Sequence, residues 1–435
     1  MATLLFATQP GSGHFNPLLS IARRMEAQGH HTAFTCSGPP DFHEEVRRAR
    51  VELHPLPQPL SLSVPAALLL PHTRGMLETM VAVLVFTGDL VVHARALATL
   101  LADRRPDAVI CDFAFPAAAL AAERAGLPWV SVYHAGLAYR GPSVPPLGSG
   151  LPIGGQWGWR GQIAGWMERL GNDLLNRRMA RARARLGLPA VKRDYFWTSP
   201  WLTLVLSAEA VEAPRHSLTA ETCFIGPCFG ERSGEQFGLE RRFCERPLVY
   251  VSLGTVFNRK PDVFHRILTG LQEDCELVVS AGGAFPALSA RRYLPSVHLF
   301  PRVPQVDLLP LVDAVVSHGG NNTINETLAA GKPLLVLPVG GEQQDNASRV
   351  EFLGAGLRTT LNAPAATIRA LVGRLIRESS FRDSASACAA VLAETRGTET
   401  ARLLIERLLE TGRPVSRVAG FPQTITARTG LPWEV

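Results

Sequence analysis

The chain is poor in lysine, in closely spaced cysteines and in long apolar runs. Lysine supplies only three of its 44 basic residues, and arginine supplies the others. The two nearest cysteines, Cys223 and Cys228, form no C-x-x-C motif, and no segment reaches the roughly 18 apolar residues of a transmembrane helix. These absences exclude a disulfide-stapled miniprotein and predict a chain without stable membrane insertion.

The composition predicts a globular protein of more than one domain. Its 435 residues correspond to two or three domains at about 150 residues each, and 46% hydrophobic residues supply apolar cores. The net charge of +6 is modest, and the basic runs Arg47–Arg50 and Arg177–Arg185 follow helical spacing. We interpret them as solvated helix faces and predict no nucleic-acid partner. Scattered cysteines and an N-terminus without a basic signal-peptide region favour a cytoplasmic location.

The N-terminal half has the pattern of a parallel sheet. The apolar run Thr3–Thr8, a glycine-rich turn, a helical pattern and the run His31–Cys36 form a β-loop-α-β unit. Further strands are predicted at Ala108–Cys111, Trp129–Tyr133 and Leu202–Ser207. An insert at 141–200, together with the adjacent Trp201, contains five of the seven tryptophans. The insert is either a helical layer packed on the sheet or an aromatic pocket for a flat apolar ligand, and it could be both.

The C-terminal half repeats the alternation of strands and helices. Strands are predicted at Pro247–Leu253, Leu277–Ser280, Ala314–Ser317 and Pro333–Leu337. Helical stretches at Ala365–Glu378 and Thr398–Glu410 are expected to cover this second sheet. We therefore predict an α/β protein of two Rossmann-like, doubly wound domains that face a central cleft. The predicted units are an N-terminal domain at 1–228, a linker at 229–246, a C-terminal domain at 247–395, and a helix and tail at 396–435.

A glycine-rich turn after the first strand exposes a histidine. The turn reads Gly11-Ser12-Gly13-His14, and Asn16 stands where a dinucleotide-binding fingerprint has its third glycine. NAD(P) binding is therefore disfavoured. A histidine that glycines leave uncovered has a pKa suited to a general base, although an ordinary polar loop residue is the alternative.

Two polar clusters follow strands of the C-terminal half. The segment His318–Thr323, with the sequence His-Gly-Gly-Asn-Asn-Thr, opens a helix whose free amides favour a phosphate. Glu326 lies one turn further along this helix, and its two acceptor oxygens suit the two hydroxyls of a ribose. Glu342 and Gln343 follow the next strand and suit a hydroxyl-rich ligand. Helix capping by the Asn-Thr pair is the alternative, but capping does not require the other residues.

The region from Arg302 to Gln343 carries a specific set of motifs. The set is Pro304-Gln305, His318-Gly319-Gly320-x-Asn322-Thr323-x-x-Glu326, Ala330-Gly331-x-Pro333 and Glu342-Gln343, with Ser252-Leu253-Gly254-Thr255 and Gly13-His14-x-x-Pro17 upstream. Together these motifs resemble family-1, UDP-sugar-dependent glycosyltransferases of the GT-B fold. The nearest resemblance is to the bacterial branch that modifies macrolides, polyketides, flavonoids and carotenoids.

The resemblance implies a role for each matching residue. His14 would be the base that deprotonates the acceptor hydroxyl, and Asp112 would orient it and stabilise its imidazolium form. The implied donor-binding residues are Ser252, Gly254, Thr255, Arg302, Val303, Gln305, His318, Gly320, Asn321, Asn322, Thr323, Glu326, Glu342 and Gln343. The acceptor side would include Phe15, Phe113, Trp157, Trp159, Trp166, Phe196 and Trp197. The implied reaction is an inverting transfer of a hexose to a hydroxyl of a hydrophobic natural product. The Glu342-Gln343 pair favours glucose as this hexose.

The resemblance also implies that no metal or resident cofactor takes part, and no Asp-x-Asp sequence occurs between Arg302 and Asn346. The family usually has tryptophan, which stacks on uracil, at the position of Arg302. A guanidinium plane can also stack on a base, so the choice between UDP and dTDP sugars stays open.

Three other functions remain as alternatives. The chain could use a dTDP-deoxysugar donor, or it could be another GT-B enzyme such as a nucleotide-sugar epimerase or hydrolase, which needs no large apolar acceptor site. It could also be a non-catalytic helper protein. A helper would be expected to have lost the His14–Asp112 pair or the Glu342-Gln343 pair, and both are present.

Overall fold

Two parallel sheets, each covered by helices on both faces, make up the described chain. The computed structural model describes residues 1–56, 90–136, 143–191, 198–213, 218–229, 246–254 and 258–417. Parallel strands are joined by helical crossovers that bury both faces of a sheet, which explains the near-continuous apolar strands of this chain. The prediction of a two-sheet α/β fold is confirmed.

The first sheet has seven strands in the order β3-β2-β1-β4-β5-β6-β7. Its elements are β1 (Thr3–Thr8), α1 (Ser12–Glu26), β2 (His31–Cys36), α2 (Pro40–Arg48), β3 (Glu52–Pro55), α3 (Leu90–Arg104), β4 (Ala108–Asp112), α4 (Pro116–Arg124), β5 (Trp129–Tyr133), α5 (Gly158–Arg185), β6 (Leu202–Val205) and β7 (Thr222–Phe224). The strand order reverses between β1 and β4. Ligands of such sheets bind at this switch point, beyond the carboxyl ends of the strands.

The second sheet has six strands in the order β10-β9-β8-β11-β12-β13. Its strands alternate with helices as β8 (Leu248–Ser252), α6 (Pro261–Leu271), β9 (Glu276–Ser280), α7 (Phe285–Ser289), β10 (Val297–Phe300), α8 (Gln305–Leu308), β11 (Ala314–Ser317), α9 (Asn321–Ala329), β12 (Leu334–Val336), α10 (Glu342–Phe352), β13 (Gly356–Arg358), α11 (Ala365–Arg377), α12 (Ser379–Ala393) and α13 (Gly397–Thr411). Here the order reverses between β8 and β11, so each sheet has its own switch point. Most of the predicted linker at 229–246 lies outside the described residues.

The helix α13 does not cover the second sheet, contrary to the prediction from the sequence. It packs against α1 and β6 of the first sheet. Leu404, Ile405 and Leu408 are buried there in the same core as Leu18 and Ile21. Their spacing of three and four residues forms one apolar stripe, which suits either sheet, so the pattern alone could not choose between them.

The aromatic insert forms one long helix, α5, after an irregular segment. The helix has 28 residues and carries several arginines along its length. Trp159 and Trp166 lie on its outer face, where 67% and 59% of their surfaces are exposed. Among the described helices, including α5, none combines the length and the hydropathy that crossing a membrane would require.

We expect Leu404→Ala to destabilise the protein by about 2–5 kcal/mol, because it leaves a cavity between α13 and the first sheet. The neighbouring Leu403 is 41% exposed and provides the matched control, for which a change within about 0.5 kcal/mol is expected. Denaturant unfolding of the two variants measures the difference. Equal losses would contradict the placement of α13.

Candidate active site

Polar side chains lie at the switch points of both sheets, beyond the carboxyl ends of the central strands. In the first half, α1 begins immediately after β1, and Gly11 makes the turn with a φ of 136°, a conformation that other residues adopt only under strain. This turn places His14 in the first turn of α1. Asp112 is the last residue of the neighbouring strand β4, and its Oδ2 lies 2.8 Å from His14 Nδ1. Adjacent strands therefore join two residues that are 98 positions apart in sequence.

Asp112 is buried and receives four polar contacts. The backbone amides of Gln9 and Ala114 donate to its two oxygens over 3.1 and 2.9 Å. His14 contacts Oδ2, and the Nε2 of a second histidine, His134, lies 3.1 Å from Oδ1. A buried carboxylate is stable as an ion only when it is hydrogen-bonded in this way. The carboxylate can therefore remain charged in the interior.

The electrostatics of the cluster favour an ionised Asp112 and a basic His14. Burial opposes the charge of Asp112, but His14 and His134 together hold the pKa of this carboxyl far below its usual range. Burial also works against the imidazolium of His14, yet Asp112, with a smaller effect from Glu342, raises the pKa of His14 above 6.5. With its Nδ1 proton donated to Asp112, His14 presents Nε2 as the proton acceptor.

His134 was not among the residues singled out from the sequence. It directly follows β5, the strand next to β4, and its ring lies 4.6 Å from that of His14 and 4.9 Å from that of Phe113 in edge-to-face contacts. Burial lowers the pKa of His134, so this histidine is neutral. The rule that led to Asp112, a polar residue at the carboxyl end of a central strand, would also have found His134.

In the second half, His318 is packed between two glycines at the switch point. A Cβ on Gly254 or on Gly320 would lie within 3.0 Å of its ring, so only glycine fits on either side. Burial lowers the pKa of His318 to about 4, and the side chain is therefore a neutral hydrogen-bond donor or acceptor. Ser252 is buried at the end of β8 beside this ring, and its hydroxyl accepts from the amide of Gly254 over 3.4 Å.

Glu326 belongs to a chain of partly buried polar groups. The hydroxyl of Tyr250 donates to Gln305 Oε1 over 3.1 Å, and the amide of Gln305 donates to the Glu326 carboxylate. Burial raises the pKa of Glu326 to about 7, although the bond from Gln305 opposes this shift. Thr323 is buried in the first turn of α9 beside Gln305, while Val303 is a core residue. The carboxylate keeps acceptor capacity for a further donor.

The pair Glu342 and Gln343 begins helix α10. The Oε1 of Gln343 accepts from the amide of Val339 over 2.9 Å, which fixes the loop before the helix. Burial raises the pKa of Glu342, and its charge interacts with that of His14 in the other half. The charge of Glu342 therefore acts on the candidate base in the N-terminal half.

The side chains of Asn321 and Asn322 have hydrogen-bond partners in the N-terminal half. Their predicted role in donor binding did not include these contacts. Asn321 donates to the carbonyl of His134 over 2.8 Å, and Asn322 donates to the carbonyl of Gly13 over 2.9 Å. What remains for a ligand is the set of backbone amides in the first turn of α9, which have no intrahelical acceptor. Arg302 is 75% exposed, and its guanidinium lies 4.0 Å from Glu45.

Further contacts join the two halves beside the site. Asp345 of α10 accepts from the amides of Gly148 and Gly150 in the segment before α5, over 2.5 and 3.1 Å. Burial raises the pKa of Asp345 to about 7, against the effect of these two amides. Arg349 and Glu212 form a buried ion pair between the halves. Helix α10 thus contacts the N-terminal half at two places.

Only some of the residues that were predicted to bind the acceptor lie near the candidate site. Phe15 is wrong as an acceptor residue, because it is buried between Phe34 and Phe42 in the core under α1. Trp159 and Trp166 face outward from α5, and the indole nitrogen of Trp157 donates to the carbonyl of Pro152. Phe113 stacks on Tyr133 next to His134. The candidates Phe196, Trp197 and, on the donor side, Thr255 lie outside the described residues.

A cavity of about 580 Å³ lies beside Asp112, between the strands β4 and β5 and the helices α4 and α5. Its wall combines apolar side chains, among them Phe113, Phe115, Trp129 and Met179, with polar and charged ones. The polar and charged residues of the wall are Asp112, Glu123, Ser131, Asp173, Asn176, Arg177 and Arg183. This size, and a lining of aromatic side chains beside polar groups, are typical of small-molecule sites. Other residues of the predicted insert therefore contribute to a pocket, although its exposed tryptophans do not.

One cluster has ligand types that could also hold a metal. His14, Asp112 and His134 each offer an atom, and these three atoms lie within 4.8 Å of one another. Two imidazoles and a carboxylate suit a transition metal. The contacts of 2.8 and 3.1 Å are ordinary hydrogen-bond lengths for an ionised carboxylate, and we interpret the cluster as hydrogen-bonded.

We expect Asp112→Asn to lower the pKa of His14, because the carboxylate is what raises it. NMR titration of isotopically labelled histidine measures this pKa. Asp107→Asn is the matched control, because Asp107 lies beside the opposite end of β4 and is exposed. An unchanged pKa in Asp112→Asn would contradict the proposed electrostatics, as would an equal fall in the control.

Comparison with known families places each half of the chain among glycosyltransferases. Residues 233–391 match the family described as UDP-glucoronosyl and UDP-glucosyl transferase, and residues 16–191 match the glycosyl transferase 4-like domain. Among curated proteins, the chain is 28% identical to 4'-demethylrebeccamycin synthase of Lentzea aerocolonigenes, over 82% of this chain and 87% of the relative. It is 25% identical to zeaxanthin glucosyltransferase of Pseudescherichia vulneris, over 96% and 100%.

Solved structures show the same fold. The calicheamicin glycosyltransferase CalG4 superposes with a TM-score of 0.73 at 21% identity, over 95% of this chain and 100% of that one. The glycosyltransferase VinC, whose structure contains dTDP, superposes with a TM-score of 0.67 at 21% identity, over 94% and 99%.

Proposed function

We propose that this chain, a glycosyltransferase with the GT-B fold, moves a hexose from a nucleoside diphosphate sugar to a hydroxyl of a hydrophobic natural product, with inversion at the anomeric carbon. The observation that carries the proposal is the position of His14. This base is held by Asp112 in one half and lies within electrostatic reach of Glu342, in the donor motif of the other. A base and a sugar-binding carboxylate that face each other across a cleft suit transfer between two substrates.

The proposed reaction is a single displacement. The acceptor oxygen attacks the anomeric carbon while its proton passes to His14 Nε2, and the bond from that carbon to the diphosphate oxygen breaks with its electron pair. The resulting imidazolium is stabilised by the charge of Asp112. Neutral His318 and the first-turn amides of α9 would donate hydrogen bonds to the leaving diphosphate.

The donor site suits a ribonucleoside diphosphate hexose. The carboxylate of Glu326, held by Gln305, would accept hydrogen bonds from the ribose hydroxyls. Glu342 would accept from sugar hydroxyls, and the free amide group of Gln343 would contribute beside it. A fully hydroxylated sugar makes the most use of these groups, which supports UDP-glucose as the donor.

A dTDP sugar is the second candidate donor. Arg302, at the position where the family stacks tryptophan on uracil, is exposed and offers less discrimination between bases. A related fold in VinC contains dTDP. The two candidates differ at the ribose, because a deoxyribose would leave one of the acceptor positions on Glu326 unpaired.

The acceptor is proposed to be a largely apolar compound in the cavity beside Asp112. Aromatic and sulfur-containing side chains line part of this cavity, and its wall includes Asp112, the partner of the proposed base. The relatives named above include a rebeccamycin-pathway synthase and a carotenoid glucosyltransferase, which supports a natural-product acceptor.

We propose that no metal and no resident cofactor take part, because His318 and the helix end can offset the diphosphate charge. A cytoplasmic location is proposed from the scattered spacing of the cysteines, which forms no disulfide framework.

We expect His14→Ala to lower the rate of sugar transfer by about 10²–10⁴-fold, because it removes the general base. Donor binding, measured by calorimetry, should change little, because the donor contacts lie in the other half. The assay is run with a chelator present, and products from a mixed library of aglycones are detected by mass spectrometry. Undiminished transfer in His14→Ala would overturn the assignment of the base, and loss of wild-type transfer on chelation would overturn the metal-free mechanism.

We expect UDP-glucose to stabilise the protein most in a thermal-shift panel of nucleotide sugars. Stabilisation by dTDP sugars alone would replace the proposed donor with the second candidate.

We expect Glu326→Ala to weaken donor binding about ten- to a hundredfold, because a charged hydrogen bond to the ribose is lost. Glu276→Ala is the control. Glu276 is the first residue of β9, so it lies at the amino ends of the strands, away from the candidate site, and it pairs with His298. Equal weakening in both variants would contradict the role of Glu326.

A further inference from the structure

Asp112 has two histidine partners, and the proposed reaction uses only one of them. His14 contacts Oδ2 and would be the base, whereas His134 contacts the other oxygen, Oδ1, and has no assigned role. His134 is buried, and its ring packs against the rings of both His14 and Phe113. A neutral histidine that donates Nε2–H to a carboxylate oxygen restricts how that carboxylate can rotate.

The backbone of His134 is held by the donor half. Asn321, at the start of α9, donates to its carbonyl, and the Oδ1 of Asn321 accepts from Arg349 over 2.7 Å. Arg349 is itself fixed by its buried ion pair with Glu212. A continuous series of hydrogen bonds thus runs from α10 through α9 to His134 and then to Asp112.

A second contact holds the other side of the base. Asn322, the next residue of α9, donates to the carbonyl of Gly13, immediately before His14. Two consecutive side chains at the first turn of the donor-binding helix therefore contact the backbone on both sides of the His14–Asp112 pair.

We propose that His134 is a positioning residue, which orients Asp112 and thereby His14, and which Asn321 connects to the donor-binding helix. The inference rests on the proposed function, since it assigns a role in aligning the same base. In this arrangement two amides and His134 hold the carboxylate, and His14 is the partner that responds to the acceptor.

The charged and titratable groups around the cluster fix the direction of the expected effect. His134 faces Asp112 of β4 and His14 of α1, and His14 also faces Glu342 of α10. Cys111 lies next to Asp112 in β4, and its thiol is neutral because burial raises its pKa. The bond from His134 offsets part of the negative charge on Asp112, so its removal leaves more of that charge to stabilise the imidazolium of His14.

The test compares three variants in the full chain. His134→Phe removes the hydrogen bond and keeps a ring of similar shape, and His134→Gln keeps a side-chain N–H donor. His30→Phe is the matched control, because His30 also contacts a carboxylate, that of Glu406 at 3.2 Å, at a similarly buried place outside the site. The measurements are the pKa of His14 by NMR titration and the kinetic constants for transfer.

In His134→Phe, we expect the pKa of His14 to rise and kcat to fall about ten- to a hundredfold, with the donor KM nearly unchanged, because a misaligned base slows only the chemical step. His134→Gln should restore most of the rate, and His30→Phe should leave both measurements as in the wild type. A folded His134→Phe protein with an unchanged pKa of His14 and unchanged kcat would overturn the inference. So would an equal effect in His30→Phe.

The NMR titration separates this inference from the proposed function. The pKa of His14 can be measured without any substrate. If the wild type transfers no sugar but the pKa of His14 rises only in His134→Phe, the positioning role stands and the proposed reaction fails. If His14→Ala abolishes transfer but His134→Phe changes neither measurement, the reaction stands and the positioning role fails.

Discussion

The buried carboxylate of Asp112 is the group on which the rest of the site depends. An ion in the interior is costly unless its hydrogen bonds are satisfied, and here two amides and two histidines surround it. Those contacts require β1, β4 and β5 to be adjacent and in register, which the strand order of the first sheet provides. The raised pKa of His14 is a consequence of the same charge.

The second constraint is that both halves take part in building one site. Each sheet has a switch point, and the loops at the two switch points meet across the cleft. Asn321 and Asn322 show how closely the halves are joined, because donor-motif side chains contact the backbone on both sides of the base. The return of α13 to the first sheet adds a further connection at the far end of the chain.

Much of this arrangement could be predicted from the sequence, and the remainder was missed for physical reasons. Central strands are almost entirely buried apolar runs, so β1, β4, β8 and β11 could be predicted, and with them the strand ends next to His14 and His318. The strands that the sequence did not predict, β3, β7, β10 and β13, are the four edge strands of the two sheets. Three of them, β3, β10 and β13, are only partly buried and need not be apolar throughout, and β7 has only three residues. The outward orientation of Trp159 and the core position of Phe15 depend on tertiary packing, which composition does not specify.

The central claim is that His14, oriented by Asp112, activates an acceptor against a donor held by the other half. A crystal structure with a non-transferable nucleotide sugar and a bound acceptor tests it most directly. We predict an acceptor hydroxyl within about 2.6–3.2 Å of His14 Nε2, on the face of the anomeric carbon opposite the diphosphate, with the diphosphate at the start of α9. A diphosphate bound in the N-terminal half, or an acceptor hydroxyl out of reach of His14, would contradict it.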